Sequence, residues 1–214
     1  MTQRLLAVSG IIGPPIYGIV IFALGSLWPD YSHLRQSMSE LGAVGSPYAL
    51  MMNTAGLPLL GILMVAFAFG LYRDLRNGMS ARIGCFFIAL AGGAIVLTGA
   101  FPCDSGCINV TCIGMMHRVF ATITGSALLL APFTLIPAIN SDYRWHKYAF
   151  FTLIIGVIVM VSSTLYGFHV FEQWKGVIQR LSMGVALLWI EVMAIKLLRL
   201  SLEGQSRLYK PSSR

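Results

Sequence analysis

Six long apolar segments constrain this sequence more than any other feature. They cover residues 5–28, 48–71, 83–101, 116–139, 148–168 and 177–198. A bilayer core requires about 20 apolar residues in a helix that rises about 1.5 Å per residue, so each segment can cross a membrane. Only 11% of the 214 residues are charged, against about 25% in soluble domains. The sequence therefore predicts an all-α integral membrane protein in which residues 1–200 form one bundle of six transmembrane helices.

The distribution of basic residues predicts the orientation of this bundle. Of the 15 Lys and Arg residues, eleven lie on one side of the predicted spans and four lie on the other. Because cytoplasmic segments are enriched in Lys and Arg, we expect both termini in the cytoplasm, with a basic tail over residues 201–214. The net charge of +7 then favours contact with anionic lipid. No basic stripe alternates with aromatic residues, so we expect no nucleic-acid partner.

Three predicted outer loops, residues 29–46, 102–114 and 169–176, contain most of the polar side chains that can bind or react. Loops carry functional residues more often than the scaffold does, so we expect any site to face outward. In the first loop, Ser37 and Glu40 have the spacing of a capping box. This spacing favours a short helical turn closed by Gly42, and it also allows Ser39 or Glu40 to face a substrate or an ion.

The second outer loop contains a group of cysteines followed by a histidine. Cys103, Cys107 and Cys112 lie on the predicted outer side, where an oxidising compartment favours a disulfide bond. Three cysteines leave one thiol unpaired. A zinc site formed by Cys107, Cys112 and His117 is the alternative, although this spacing matches no common zinc finger or ribbon.

Histidines and carboxylates on the same side indicate a shared polar site. His117 and His169 each fit an interfacial histidine that water satisfies. With Asp104 and Glu40 on the same side, they can also ligate a metal ion or transfer protons at a lipid head group.

The sixth apolar segment contains Arg180 near its outer end and Glu191 in its inner half. Eleven residues separate them, which is close to three turns of a helix, so the two side chains share one face. Ionisable residues inside a span usually face the bundle interior and find partners. We expect Arg180 to pair with Glu40, Asp104 or Glu172, of which the first two are the best placed. Snorkelling of Arg180 to the interface is the alternative.

Several short motifs resemble those of a known family. They are Ser-Glu-Leu-Gly over residues 39–42, Asn53, Phe-Pro-Cys-Asp-x-Gly-Cys over residues 101–107, His117, and Gln-Arg at 179–180. The chain is similar, over nearly its whole length, to the prokaryotic membrane family catalogued as domain of unknown function 998. The resemblance implies six helices in a prokaryotic cytoplasmic membrane and implies no activity. Because Cys112 lies outside the family motif, the resemblance favours a disulfide bond between Cys103 and Cys107.

A more distant resemblance connects the chain to intramembrane metal hydrolases that include the alkaline ceramidases. Those enzymes combine a Ser, an Asp and three His, and this chain offers Ser39, Asp104, His117 and His169. It lacks the His-x-x-x-His pair that those enzymes carry on their last span. This departure argues against a metal hydrolase.

Two functional hypotheses follow from the sequence. In the first, the protein binds or acts on a lipid or another amphiphile at an outward-facing polar site. In the second, it is a non-catalytic accessory subunit that packs against another membrane protein or a second copy of itself. The candidate catalytic residues, expected to meet Arg180 at the outer mouth of the bundle, are Glu40, Asp104 and His117. The candidate binding residues are Ser39, Asn53, His169 and Arg180. No metal ligand is assigned, and the cofactor is unknown.

Overall fold

A computed structural model of the chain describes residues 2–75 and 78–208, except for the side chains of 204–208. The long helices are α1 (Thr2–Leu27), α2 (Ala49–Asp74), α3 (Gly78–Ala100), α4 (Cys112–Ser141), α5 (Ala149–Gly167) and α6 (Lys175–Leu208). All six are long and apolar enough to cross a membrane. The described ranges contain no β-strand. The predicted all-α class with six spans is therefore confirmed.

The helices follow the predicted apolar segments, with differences at their ends. α1 continues through Pro14 and Pro15 without a break. α2 contains one π-helical turn at Met52–Gly56. α6 continues as a helix to Leu208, beyond the predicted end of the sixth span at residue 198. The basic tail remains a prediction, because residues 209–214 lie outside the described part of the chain.

The six helices form a closed ring in which each helix packs against its neighbours in sequence, and α6 packs back against α1. Glycines make several of these close approaches possible. A Cβ added at Gly61 would lie 2.4 Å from the carbonyl oxygen of Gly92, and one added at Gly84 would lie 2.2 Å from Leu135. Transmembrane helices associate through this kind of close packing, since lipid provides no hydrophobic drive between them.

The two ends of the bundle differ in construction. We call the end with residues 28–48, 101–111 and 168–174 the disulfide end, and the end with Leu75 and residues 142–148 the terminal end. At the terminal end, Arg144 forms ion pairs with Asp142 at 2.6 Å and with Asp74 at 3.1 Å. Trp145, fully buried, donates its indole N–H to the other oxygen of Asp74 at 2.8 Å. This cluster joins the end of α2 to the segment between α4 and α5.

Candidate functional site at the disulfide end

Arg180 holds the loop between α1 and α2 against the start of α6. Its Nη1 donates to the carbonyl oxygens of His33 at 2.8 Å, Gln36 at 2.9 Å and Gly176 at 2.9 Å. Its Nη2 donates to the hydroxyl of Tyr31 at 2.5 Å. The guanidinium is therefore compensated by neutral oxygens of the loop. The predicted pairing of Arg180 with a carboxylate is wrong, because Arg180 forms no ion pair with a described carboxylate and its Nη atoms donate to carbonyls and to the Tyr31 hydroxyl.

Neighbouring residues of α6 strengthen the same contact. Gln179 accepts the backbone N–H of Met38 through Oε1 at 2.7 Å. The Tyr31 hydroxyl donates onward to the carbonyl of Ser37 at 2.9 Å. A Cβ at Gly176 would lie only 2.4 Å from the carbonyl oxygen of Gln36, so only glycine allows the loop backbone to approach α6 this closely.

Glu40 is buried and has a different cationic partner from the predicted one. Its Oε1 lies 3.1 Å from Lys175 Nζ and accepts the backbone N–H of Ser37 at 3.0 Å and the Ser37 hydroxyl at 3.2 Å. Its Oε2 accepts from Gln36 Nε2 at 3.1 Å. The predicted turn is confirmed as a 3₁₀ helix at Met38–Gly42, with the Glu40 side chain fixing its start. Glu40 and Arg180 thus hold the same loop segment without contacting one another.

Burial shifts the pKa values of two titratable groups in this loop, Tyr31 and His33. It raises the pKa of the Tyr31 hydroxyl, and the neighbouring Arg180 opposes that rise. It lowers the pKa of His33, and the charge of Arg180 lowers it further. His33 is therefore neutral near neutral pH, and its Nδ1, 3.2 Å from Arg180 Nη2, acts as an acceptor. The loop presents neutral acceptors to the two Nη atoms of Arg180, while its buried Nε has no hydrogen-bond partner.

Asp104 organises the loop between α3 and α4. Its Oδ2 accepts the backbone N–H groups of Val110 at 2.7 Å and Thr111 at 2.8 Å, and its Oδ1 accepts the Thr111 hydroxyl at 2.7 Å. Thr111 in turn caps α4 by accepting the N–H of Gly114 at 3.1 Å. The bonds from Thr111 lower the pKa of Asp104, with the Val110 bond adding to them. The expected meeting of Asp104 with Arg180 does not occur, because this carboxylate is committed to its own loop.

A disulfide bond joins Cys103 to Cys107, as predicted. Cys103 is fully buried, and His117 beside it is only 3% exposed. A ring nitrogen of His117 and the two sulfur atoms lie within 4.8 Å of one another. Cys112 is an exposed free thiol and does not belong to this group. Within the described chain, the structure therefore groups His117 with the disulfide of Cys103 and Cys107, and it does not bring Cys112 into the alternative zinc set of Cys107, Cys112 and His117.

The remaining predicted residues divide between this cluster and the bundle surface. Asn53, in the π-helical turn, donates to the carbonyl of Gly42 at 2.7 Å and keeps its buried Oδ1 without a partner. Ser39 places its carbonyl oxygen 3.5 Å from the Cys103 sulfur. His169 lies apart, paired with Glu172 at 2.8 Å with side chains 72% and 60% exposed. Ser39 thus borders the disulfide, Asn53 holds the end of the 3₁₀ turn at Gly42, and His169 lies at the surface.

A groove of about 280 Å³ runs between α1 and α6, below the loop that Arg180 holds. Its lining residues are Pro14, Pro15, Tyr17, Gly18, Ile21, Phe22, Met38, Arg180, Met183, Gly184, Leu187, Leu188 and Glu191. A Cβ added at Gly18 or at Gly184 would meet no atom within 4 Å, so these two glycines leave the groove open. Glu191 forms no hydrogen bond or ion pair with the residues that the structure describes. Arg180 and Glu191 share one face of α6, as predicted.

Sequence reasoning missed the groove and several loop contacts. The sequence predicts Lys175 only as a basic residue of the outer side, and no motif connects it with Glu40. No sequence motif distinguishes Tyr31 from an ordinary aromatic residue at the membrane interface. Gln179 belongs to the Gln-Arg motif. Its hydrogen bond with the backbone N–H of Met38 was not predictable, because it depends on the path of the loop between α1 and α2.

Six membrane-spanning helices in a closed ring, with structured loops at the disulfide end, define an integral membrane protein. The sequence profile of the family described as "Protein of unknown function (DUF998)" matches residues 11–196. The chain belongs to that family, as its motifs predicted. Comparisons with the curated proteins and with the solved structures gave no match.

Proposed function

We propose that this protein binds a lipid or another amphiphile, with the apolar chain of the ligand in the groove between α1 and α6. The observation that carries the proposal is the groove itself, which is mostly apolar and has the ionisable residues Arg180 and Glu191 in its lining. Its volume of about 280 Å³ is close to the lower end of small-molecule pockets, about 300–1,000 Å³. An amphiphile matches such a groove, since its chain and its polar head require different surroundings.

The two ionisable lining residues, Arg180 and Glu191, mark two positions along the groove. Arg180 and Glu191 are eleven residues apart in one helix, which corresponds to about 16 Å at 1.5 Å per residue. Arg180 lies at the end where the loop carbonyls collect, and Glu191 lies deeper. Ionisable residues inside a membrane often mark ligand or ion pathways. In the proposal, the polar head lies near Arg180 and the loop, and the chain extends towards Glu191.

The orientation of the ligand head follows from the proposed topology of the chain. We place the disulfide end outside a prokaryotic cytoplasmic membrane and both termini in the cytoplasm, on the basis of the eleven-to-four division of basic residues. The head group would then come from the outer leaflet. Catalytic roles for Glu40, Asp104 and His117 remain predictions, since the first two accept several hydrogen bonds that hold their own loops.

Lipid retention in purified protein tests the proposal. Gly184→Leu should fill the groove, because Gly184 lines it and a Cβ added there meets no atom within 4 Å. Gly125→Leu is the matched control, because a Cβ at Gly125 of α4 also meets no atom within 4 Å and the residue lies outside the groove. We expect native mass spectrometry to detect a retained lipid in the wild type and in Gly125→Leu, and to find it strongly reduced in Gly184→Leu.

Equal retention in both variants would contradict the proposal. A purification that yields no retained lipid, together with a stoichiometric partner protein, would instead favour the accessory-subunit hypothesis. That hypothesis stands as the alternative prediction.

A further inference from the structure

We propose that reduction of the Cys103–Cys107 disulfide creates a metal site in which both thiolates and His117 bind a soft divalent cation, of which zinc is the test case. The inference does not depend on the amphiphile groove, which lies between other helices. It rests on the placement of His117, a ring nitrogen of which lies within 4.8 Å of both sulfur atoms of the disulfide. Two sulfurs and one imidazole nitrogen match the donors that zinc prefers, and three protein ligands leave a fourth position open.

His117 supplies the independent observation for this site. It is 3% exposed, and its Nδ1 lies 2.8 Å from the carbonyl oxygen of Phe101. Because a carbonyl can only accept, Nδ1 carries the proton, and Nε2 carries a lone pair. Nε2 is buried and has no hydrogen-bond partner, a costly arrangement for a polar atom. Metal-ligating histidines show the same pattern, in which one nitrogen donates to a carbonyl and orients the other towards the ion.

The loop around the two cysteines has room to adjust to an ion. Ser105 and Gly106 between them are exposed, and a Cβ at Gly106 would meet no atom within 4 Å. The sulfurs must move apart on reduction, because each needs a separate zinc–sulfur bond of about 2.3 Å. Cys103 is anchored in the core, since its carbonyl accepts the N–H of Val44 at 2.9 Å. Movement of Cys107 at the surface therefore opens the site while Cys103 and His117 stay in place.

The chemistry balances with a dithiol as the physiological reductant. The dithiol transfers two electrons and two protons to the disulfide, which becomes two thiols while the dithiol becomes a disulfide. Zinc binding then releases both protons as the thiols become thiolates. In an oxidising compartment the disulfide form prevails, so metal binding reports on reduction.

Cobalt binding to the full-length protein in detergent tests the inference. The protein is reduced with a phosphine, which leaves as the phosphine oxide, and is then titrated with Co²⁺ under anaerobic conditions. We expect the reduced wild type to gain a thiolate-to-cobalt charge-transfer absorption that Zn²⁺ abolishes by displacement, and the oxidised protein to gain none. Cys112→Ser is the matched control and should bind as the wild type does, because Cys112 lies outside the group.

Two ligand variants complete the design. Cys107→Ser and His117→Gln should each bind at least about tenfold more weakly, since even outer-shell changes at metal sites cost about 10–100-fold in affinity. Size-exclusion chromatography and circular dichroism of the helices identify a variant that fails to fold. If His117→Gln fails, the result for Cys107→Ser decides the test, because the Cys107 side chain is partly exposed and its replacement disturbs the core less. The absence of the absorption in reduced wild type, or its persistence in Cys107→Ser, would overturn the inference.

Discussion

Replacement of Arg180 by alanine should destabilise the bundle, because this side chain joins the first loop to α6. The substitution removes donors to the carbonyls of His33 and Gln36 and to the hydroxyl of Tyr31. Each acceptor loses a charge-assisted hydrogen bond worth about 1.5–3 kcal/mol. The simple sum overstates the effect, since Arg180 is only partly buried and contacts within one network are not additive. We therefore expect a loss of about 3 kcal/mol in the free energy of unfolding.

Thermal unfolding of the purified protein in detergent measures this loss. In proteins of this size each kcal/mol shifts the Tm by about 2–4 °C, so Arg180→Ala should unfold roughly 6–12 °C below the wild type. Arg118→Ala is the matched control, because Arg118 lies near the start of α4 as Arg180 lies near the start of α6, and it is exposed. Equal Tm values for both variants would refute the reasoning. That result would favour a snorkelling arginine that holds no loop.

Two further predictions concern the terminal end and the topology. Arg144→Ala should lower the free energy of unfolding by about 2 kcal/mol at neutral pH, because it leaves Asp74 and Asp142 without their cation. The hydrogen bonds from Arg144 lower the pKa of Asp142, so this stabilisation is present at neutral pH and is lost as the pH falls through the lowered pKa. The two proteins should therefore approach equal Tm values in acid, and a constant difference would contradict this account. Cys112, an exposed free thiol at the disulfide end, should react with a membrane-impermeant maleimide in intact cells, and Cys112→Ser should not. Tyr143→Cys in the Cys112→Ser background, at the terminal end, should stay unlabelled; labelling of Tyr143→Cys from outside would reverse the proposed orientation.

The helices were predictable because the membrane imposes a single requirement on each span. Every backbone polar group must be satisfied within the bilayer, so an apolar segment of sufficient length forms a helix. The turn that contains Glu40 was also predictable, because a capping box depends on residues only three positions apart.

The partners of the charged side chains were not predictable from spacing. The sequence showed that Arg180 needs compensation, but it could not show that backbone carbonyls provide it, because their direction depends on the path of the loop. The pairing of Lys175 with Glu40 was not predictable either, because the contact joins α6 to a loop that is distant in the sequence. The Arg144 cluster joins distant segments, since Arg144 and Asp74 are 70 positions apart in the sequence. Contacts of this kind arise only from the assembled ring of helices.

Photocrosslinking with a lipid that carries a diazirine in its chain tests the groove most directly. After irradiation of the protein in nanodiscs, peptide mass spectrometry locates the modified residues. The account predicts labelling concentrated on the facing segments of α1 and α6, around Gly18 and Gly184, and its loss from these segments in Gly184→Leu. Labelling spread evenly over the lipid-facing surfaces of all six helices, unchanged in Gly184→Leu, would contradict it.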